Sequence, residues 1–187
     1  MAARRREGPP ADRWSAAGYT MIELLIVVAV VALVLGLAVA GVQRARIAAN
    51  ESAAVASLRS IGKAQISYAA SCGNGLFAAT LRVLGTPPAT GGEAYIPPDL
   101  VPASGSSLDK SGYRLVMGGQ VVADAPTACN SGAVASGFYV SADPLAPGST
   151  GNRYFWTNSR GTVYEHTASM AGQTMGGGNP TMGTAIR

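Results

Sequence analysis

Charge is scarce in this sequence: Asp, Glu, Lys and Arg make up 13% of 187 residues. Aromatic residues are only 6%, and there is one histidine and two cysteines. No C-x-x-C or Cys/His cluster occurs, so no zinc site is expected. There is no glycine-rich phosphate loop leading into a helix, no nucleophile elbow and no framed pair of carboxylates. His166 stands alone near a predicted strand end. Asp99, Asp109, Asp124 and Asp143 are scattered over predicted loops without calcium-ligand spacing. These absences predict no metal, no cofactor and no catalysis. The net charge is +4, of which +2 falls in the first eighteen residues, and no basic run interleaved with aromatics follows. That gives no nucleic-acid signal.

Proline is missing from Tyr19 to Thr86, and charge is missing from Leu24 to Val42. A helix of nineteen uncharged residues is about 29 Å long, one hydrocarbon thickness. Arg4, Arg5, Arg6 and Arg13 precede it, and Arg44 and Arg46 follow. The larger basic cluster predicts an N-terminus in the cytoplasm and a head outside. Three readings of this segment compete. It is a plain membrane anchor, or a secretory signal cut after Ala38-Val39-Ala40, or a segment whose use explains the acid Glu23 at its mouth.

Gly18 followed by Tyr19-Thr20-Met21-Ile22-Glu23-Leu24-Leu25-Ile26-Val27-Val28 resembles the N-terminus of type IV prepilins and type II secretion pseudopilins. The match runs on through Arg44-Ala45-Arg46 and Asn50-Glu51-Ser52-Ala53 and fades beyond about Tyr68. It departs from the family at Tyr19, where Phe is usual, and at Ala40, where many members carry proline. The resemblance implies cleavage between Gly18 and Tyr19 by a prepilin peptidase, then N-methylation of Tyr19. It implies a pilin-like α+β fold with a membrane-spanning N-terminal helix. It also implies insertion in the inner membrane as a single-pass precursor, in contact with lipid. Assembly with other pilin subunits would follow, driven by a separate ATPase and an inner-membrane platform. Cleavage would create an ammonium on Tyr19, one helical turn from Glu23. In a bundle the ammonium of one subunit can meet Glu23 of its neighbour, lowering the cost of burying both and fixing register. The alternative is that Glu23 is simply a helix-start acid. Ala32, Gly36 and Ala40 add a ridge of small residues suited to close helix contact.

Beyond the span, Ile47, Ala54, Val55, Leu58, Ile61 and Ile66 recur at helical spacing, opposite Arg59, Ser60, Lys63 and Ser67. One helix is predicted from Thr20 to Ser71, ended by Cys72-Gly73-Asn74-Gly75. The expected organisation is a leader over 1–18, a core helix over 19–43, an amphipathic continuation over 44–71, a head over 72–166 and a mobile tail over 167–187. Within the head, Gly75–Gly85 reads as a short helix and 86–111 as a variable loop with Tyr95 and Ile96 tucked inward. Alternation at Tyr113–Met117 and Phe138–Ser141, and a hairpin over Tyr154–Glu165, predict an antiparallel sheet of three to four strands. Val121-Val122 would extend or add to it. In an exported head Cys72 and Cys129 are expected to form a disulfide, two buried free thiols being the alternative. The expected role is that of a structural filament subunit. Adhesion, twitching motility, DNA uptake and secretion are not separated by these features. A secreted or anchored binding protein is the alternative.

Overall fold

A computed structural model describes residues 18–173, 178 and 180–186, with backbone only at 37–40. Residues 1–17 of the expected leader therefore lie outside the described residues. The chain divides into two compact units, Met1–Gly41 and Val42–Arg187. The fold is α+β: a long N-terminal helix, α1 (Met21–Ser71), whose second half packs on an antiparallel sheet. This is consistent with a pilin-like architecture.

Within the second unit, the centre of the buried face of α1 is Glu51, Ala54, Leu58, Ile61, Gln65 and Tyr68, continued by Cys72 just past the helix and widened by Ser57, Gly62 and Ala64. The central positions advance by alternating steps of three and four along one helix face. Ile66, expected on the apolar face, is 60% exposed and lies outside this buried face. Apolarity alone misplaced it. Glu51 and Gln65 are polar residues on the buried face, which apolar spacing does not reveal. The helix ends at the predicted place. Asn74 and Gly75 adopt positive φ, 53° and 86°, and Gly73 N donates to Tyr68 O at 2.8 Å. A left-handed residue at this point turns the chain out of the helix and satisfies its last carbonyls.

Among the described residues the sheet has seven strands, more than the three to four expected. They are β1 (Phe77–Ala78), β2 (Ser107–Lys110), β3 (Tyr113–Val121), β4 (Val134–Pro144), β5 (Tyr154–Asn158), β6 (Val163–His166) and β7 (Thr184–Ile186). Their order is β2-β3-β4-β5-β6-β7, all antiparallel, with β1 on β4 beyond the end of β5. The predicted hairpin is β5–β6, paired Thr157↔Val163 and Trp156↔Tyr164. Val121 extends β3, as one reading had it. The strands that the sequence did not disclose, β1, β2 and β7, have two to four residues each. That is too short for alternation to register.

Three further expectations are corrected. The helix expected over Gly75–Gly85 shrinks to α2 (Leu81–Leu84), capped by the Thr80 hydroxyl and Gly85. The expected loop 86–111 holds a 3-10 turn at Pro98–Leu100 and all of β2. Ile96 is buried as expected, and Tyr95 stands edge-on to Tyr68 at 5.3 Å. Asp99, Asp109 and Asp143 thus sit in regular elements rather than on loops.

Side chains alternate across the sheet. Tyr113, Leu115, Met117, Phe138, Val140, Ala142, Phe155 and Val163 meet Ala54, Leu58, Ile61 and Tyr68 of α1 in one core. Ser141, Trp156 and Asn158 point to the opposite face and are nevertheless buried. The cover comes from the residues after β6, expected to be a mobile tail. Met170 is fully buried, Ser169 Oγ donates to Asp143 Oδ2 at 2.6 Å, and Asn158 Nδ2 donates to Gly178 O at 2.8 Å. The chain then returns as β7 on β6. Met175, Gly176 and Gly177 lie outside the described residues. The glycine- and threonine-rich composition looked unstructured because it buries little surface of its own. Its role is to close over a surface made by other strands. Gly118 is needed beneath Tyr139, since a Cβ there would come within 2.6 Å of the ring.

Candidate functional site

Gly18 and Tyr19 precede the helix, and Tyr19 is 80% exposed. Helix α1 opens with a reciprocal cap. The Thr20 hydroxyl accepts from Glu23 N at 3.3 Å, while Glu23 Oε2 accepts from Thr20 N at 3.3 Å and from the Thr20 hydroxyl at 3.1 Å. This is a capping box, in which the first and fourth residues satisfy two amides that have no helical partner. The helix-start role of Glu23 is therefore present in the single chain. The T-x-x-E spacing of Thr20 and Glu23 is its local sequence signal. Glu23 Oε1 takes no hydrogen bond among the described residues.

Every residue from Gly18 to Gly36 is exposed. Among them are Leu24, Leu25, Ile26, Val27, Val28, Leu33 and Leu35, each more than half exposed. Leaving such side chains in water forgoes about 1.5–3 kcal/mol each relative to full burial. A segment of this kind needs an apolar surrounding. By length and composition α1 could cross a membrane. Of the expected small-residue ridge, Ala32 and Gly36 are exposed, while the side chain of Ala40 lies outside the described residues.

In the second unit Cys72 and Cys129 are disulfide-bonded, with Cα atoms 4.8 Å apart, and Cys129 N donates to Cys72 O at 3.1 Å. The bridge ties the last turn of α1 to the connection between β3 and β4. The other end of the packed helix is fixed by a polar cluster that sequence reading did not find. Buried Glu51 accepts from Asn152 N at 2.9 Å and from Arg153 Nε at 2.8 Å, and Arg153 also pairs with Glu165. Asn50 Nδ2 donates to Thr150 O at 3.0 Å. The carboxylate of Glu51 raises the affinity of Arg153 for its proton. Tyr113 donates to Arg153 O at 2.8 Å, and burial pushes its hydroxyl far above the ordinary tyrosine range, with Glu51 adding to the effect.

Surface charge elsewhere is arranged in pairs. Arg114 binds Asp109 through two 2.8 Å bonds, and Lys110 binds Asp99. These cations hold both carboxyls below the usual carboxylate range. His166 Nδ1 accepts from Ala168 N at 3.0 Å. Among the described residues no group of three or more His, Cys, Asp or Glu side chains is placed to hold a metal ion. The structure thus brings Cys72 to Cys129 and Thr20 to Glu23, and it leaves Tyr19 apart at the head of an uncovered apolar helix. Comparison with family models, with curated proteins and with solved structures gave no match.

Proposed function

We propose that this protein is a structural subunit of a type IV pilus or a related pilin-like filament. It enters the inner membrane as a prepilin, is cut after Gly18 by a prepilin peptidase, is N-methylated on Tyr19 and assembles through its N-terminal helix. The observation that carries the reading is an apolar helix exposed on all sides from Met21 to Gly36, with a lone carboxylate, Glu23, in its first turn. A plain anchor would use Glu23 only for the cap. A subunit that must match its height to a neighbour would also use its charge. The Tyr19 ammonium of one subunit is a fitting partner for Glu23 of the next, because Oε2 serves the cap and Oε1 takes no hydrogen bond among the described residues. The role is structural and not catalytic. Other pilin subunits are the partners, with the assembly ATPase and membrane platform acting indirectly.

Mass spectrometry of the mature N-terminus tests the proposal. A chain beginning at N-methylated Tyr19 is the expected result. A chain beginning at Gly41 would identify a secretory signal, an intact Met1 would identify a simple anchor, and either would overturn the reading.

A further inference from the structure

Two cations stand where the proposed topology does not call for them. From Leu24 to Asn50 there is no acid, and the only charges are Arg44 and Arg46. With the N-terminus in the cytoplasm, both lie beyond the span on the translocated side, away from where Lys and Arg accumulate. Ion pairs join Lys110 to Asp99, Arg114 to Asp109, and Arg153 to Glu51 and Glu165. Arg44 and Arg46 take part in none among the described residues, and both are exposed.

Arg44 faces a cavity and Arg46 does not. Arg44, Ile47, Ala48 and Glu51 fall at i, i+3, i+4 and i+7, one face of α1. With Asn152 and Arg153 they wall a cavity of about 330 Å³ within the second unit. Arg46 is about 200° around the helix from Arg44 and is not in the wall. The charges in the wall are two cations and one acid. That acid is engaged: Glu51 accepts from Asn152 N and is bound by Arg153. Glu165, the second acid on Arg153, lies outside the wall. Nε and one N–H of each terminal nitrogen of Arg153 are taken up by Glu51 and Glu165, which leaves donors to spare. The Asn152 side chain makes no hydrogen bond of its own among the described residues. The wall therefore offers an unpaired guanidinium, the spare donors of a second one and an amide, beside apolar Ile47 and Ala48.

We propose that this cavity takes the headgroup phosphate of an anionic phospholipid, with Arg44 as its main ligand. The proposal rests on the membrane insertion of α1 in the reading above and names a lipid class for it. Arg44 lies two residues past Val42, the end of the uncharged run, about 3 Å of helix rise. A run of one hydrocarbon thickness brings that position to the headgroup layer. A phosphodiester there meets a guanidinium, whose planar fork suits its oxygens. A zwitterionic headgroup would bring its own cation against Arg44 and Arg153, whereas a phosphatidylglycerol headgroup brings none. The cavity is at the small end of ligand sites, which suits a headgroup rather than a whole lipid. The two arginines on the translocated side thus differ: Arg44 belongs to a site, and Arg46 adds only to the surface charge.

The test compares the two arginines, which general attraction to a charged leaflet would treat alike. Full chain in neutral detergent is mixed with dioleoyl phosphatidylglycerol or dioleoyl phosphatidylcholine, and bound lipid is counted by native mass spectrometry. Wild type is expected to hold one phosphatidylglycerol, and to bind phosphatidylcholine at least about tenfold more weakly. Arg44→Gln is expected to weaken phosphatidylglycerol binding at least about tenfold, and Arg46→Gln by less than about twofold. Asn152→Asp adds an acid to the wall without altering α1 and is expected to act as Arg44→Gln does. Equal loss in Arg44→Gln and Arg46→Gln would reveal surface attraction alone and overturn the site. Unchanged binding in Arg44→Gln or Asn152→Asp, equal uptake of the two lipids, or displacement of the lipid by an equal concentration of inorganic phosphate would overturn it as well. Alkaline extraction of membranes holding each variant separates the two levels of the argument. A chain retained in the pellet shows insertion intact, so that a negative lipid result counts against this site alone. Release of the wild-type chain would sink the membrane reading and this site with it.

Discussion

Gln65 behaves toward Ala78 as a neighbouring strand would: its Oε1 accepts from Ala78 N at 2.8 Å and its Nε2 donates to Ala78 O at 2.9 Å. A side chain of α1 thereby satisfies both backbone groups of a residue in the two-residue strand β1, at a fully buried site. Replacement by Leu would preserve volume and orphan two buried backbone groups. Each orphan costs about 1–3 kcal/mol. Gln65→Leu is expected to destabilise the head by about 2–4 kcal/mol, read as a lower denaturation midpoint of the detergent-solubilised full chain. An unchanged midpoint would show that β1 finds other partners.

Glu51 is the second polar residue on the buried stripe, and it clamps the β4–β5 connection to the helix. Its side chain is 8% exposed, while that of Arg153 is 47% exposed. Solvent around the arginine reduces the worth of the pair below that of a fully buried one. Glu51→Ala also removes the acceptor for Asn152 N. The expected loss is about 1–3 kcal/mol, with faster hydrogen exchange at the Asn152 amide as its local signature.

The cap at the start of α1 separates two roles of Glu23. Gln at this position can still serve a capping box, but it carries no charge. Glu23→Gln is therefore expected to keep helicity and processing while filament yield falls sharply. If Glu23→Gln assembles normally and Glu23→Ala does not, capping is the whole role and the inter-subunit pair is refuted.

Alkaline pH should weaken the head through Tyr113 and Tyr68. Burial raises both hydroxyls above the ordinary tyrosine value, so the folded state holds protons that the unfolded chain releases from about pH 10. Their contribution is complete below that pH and is lost as pH rises toward the higher folded values. Tyr113→Phe is expected to flatten the fall of stability between about pH 10 and 12, although it also loses the bond to Arg153 O. An equal slope in wild type and variant would exclude Tyr113 as a source.

The Cys72–Cys129 bridge closes a sequence separation of 57. In the chain-entropy model its removal costs about 4 kcal/mol. Cys72→Ala with Cys129→Ala should shift the denaturation midpoint accordingly, more than either Glu51 or Gln65 alone. A negligible shift would mean that the unbridged unfolded chain is already compact.

Much of this architecture was legible because its signals are local. The missing prolines and the apolar run gave α1 to within a residue, and Tyr154-Phe155-Trp156 before Asn158–Gly161 gave the β5–β6 hairpin. Failures came where burial is decided by distant chain. Gln65 and Glu51 look like surface residues until β1 and the β4–β5 connection supply their partners. Ser141 and Met170 are buried by each other's elements, which nothing within either segment announces. Of the candidate site, Gly18, Tyr19 and Glu23 are legible from a motif and Cys72 and Cys129 from their number, and the Thr20 cap from its T-x-x-E spacing.

The bridge between the end of α1 and the β3–β4 connection also has a mechanical consequence. Residues 73–128, holding β1, α2, β2 and β3, lie inside a covalent loop. A tensile load entering through the helix can pass covalently from Cys72 to Cys129 along the sulfur bond, bypassing the backbone of those elements. When the head yields under force, the loop withholds about 190 Å of extensible chain. Stretching the oxidised and reduced protein in a force spectrometer should reveal a difference of that length.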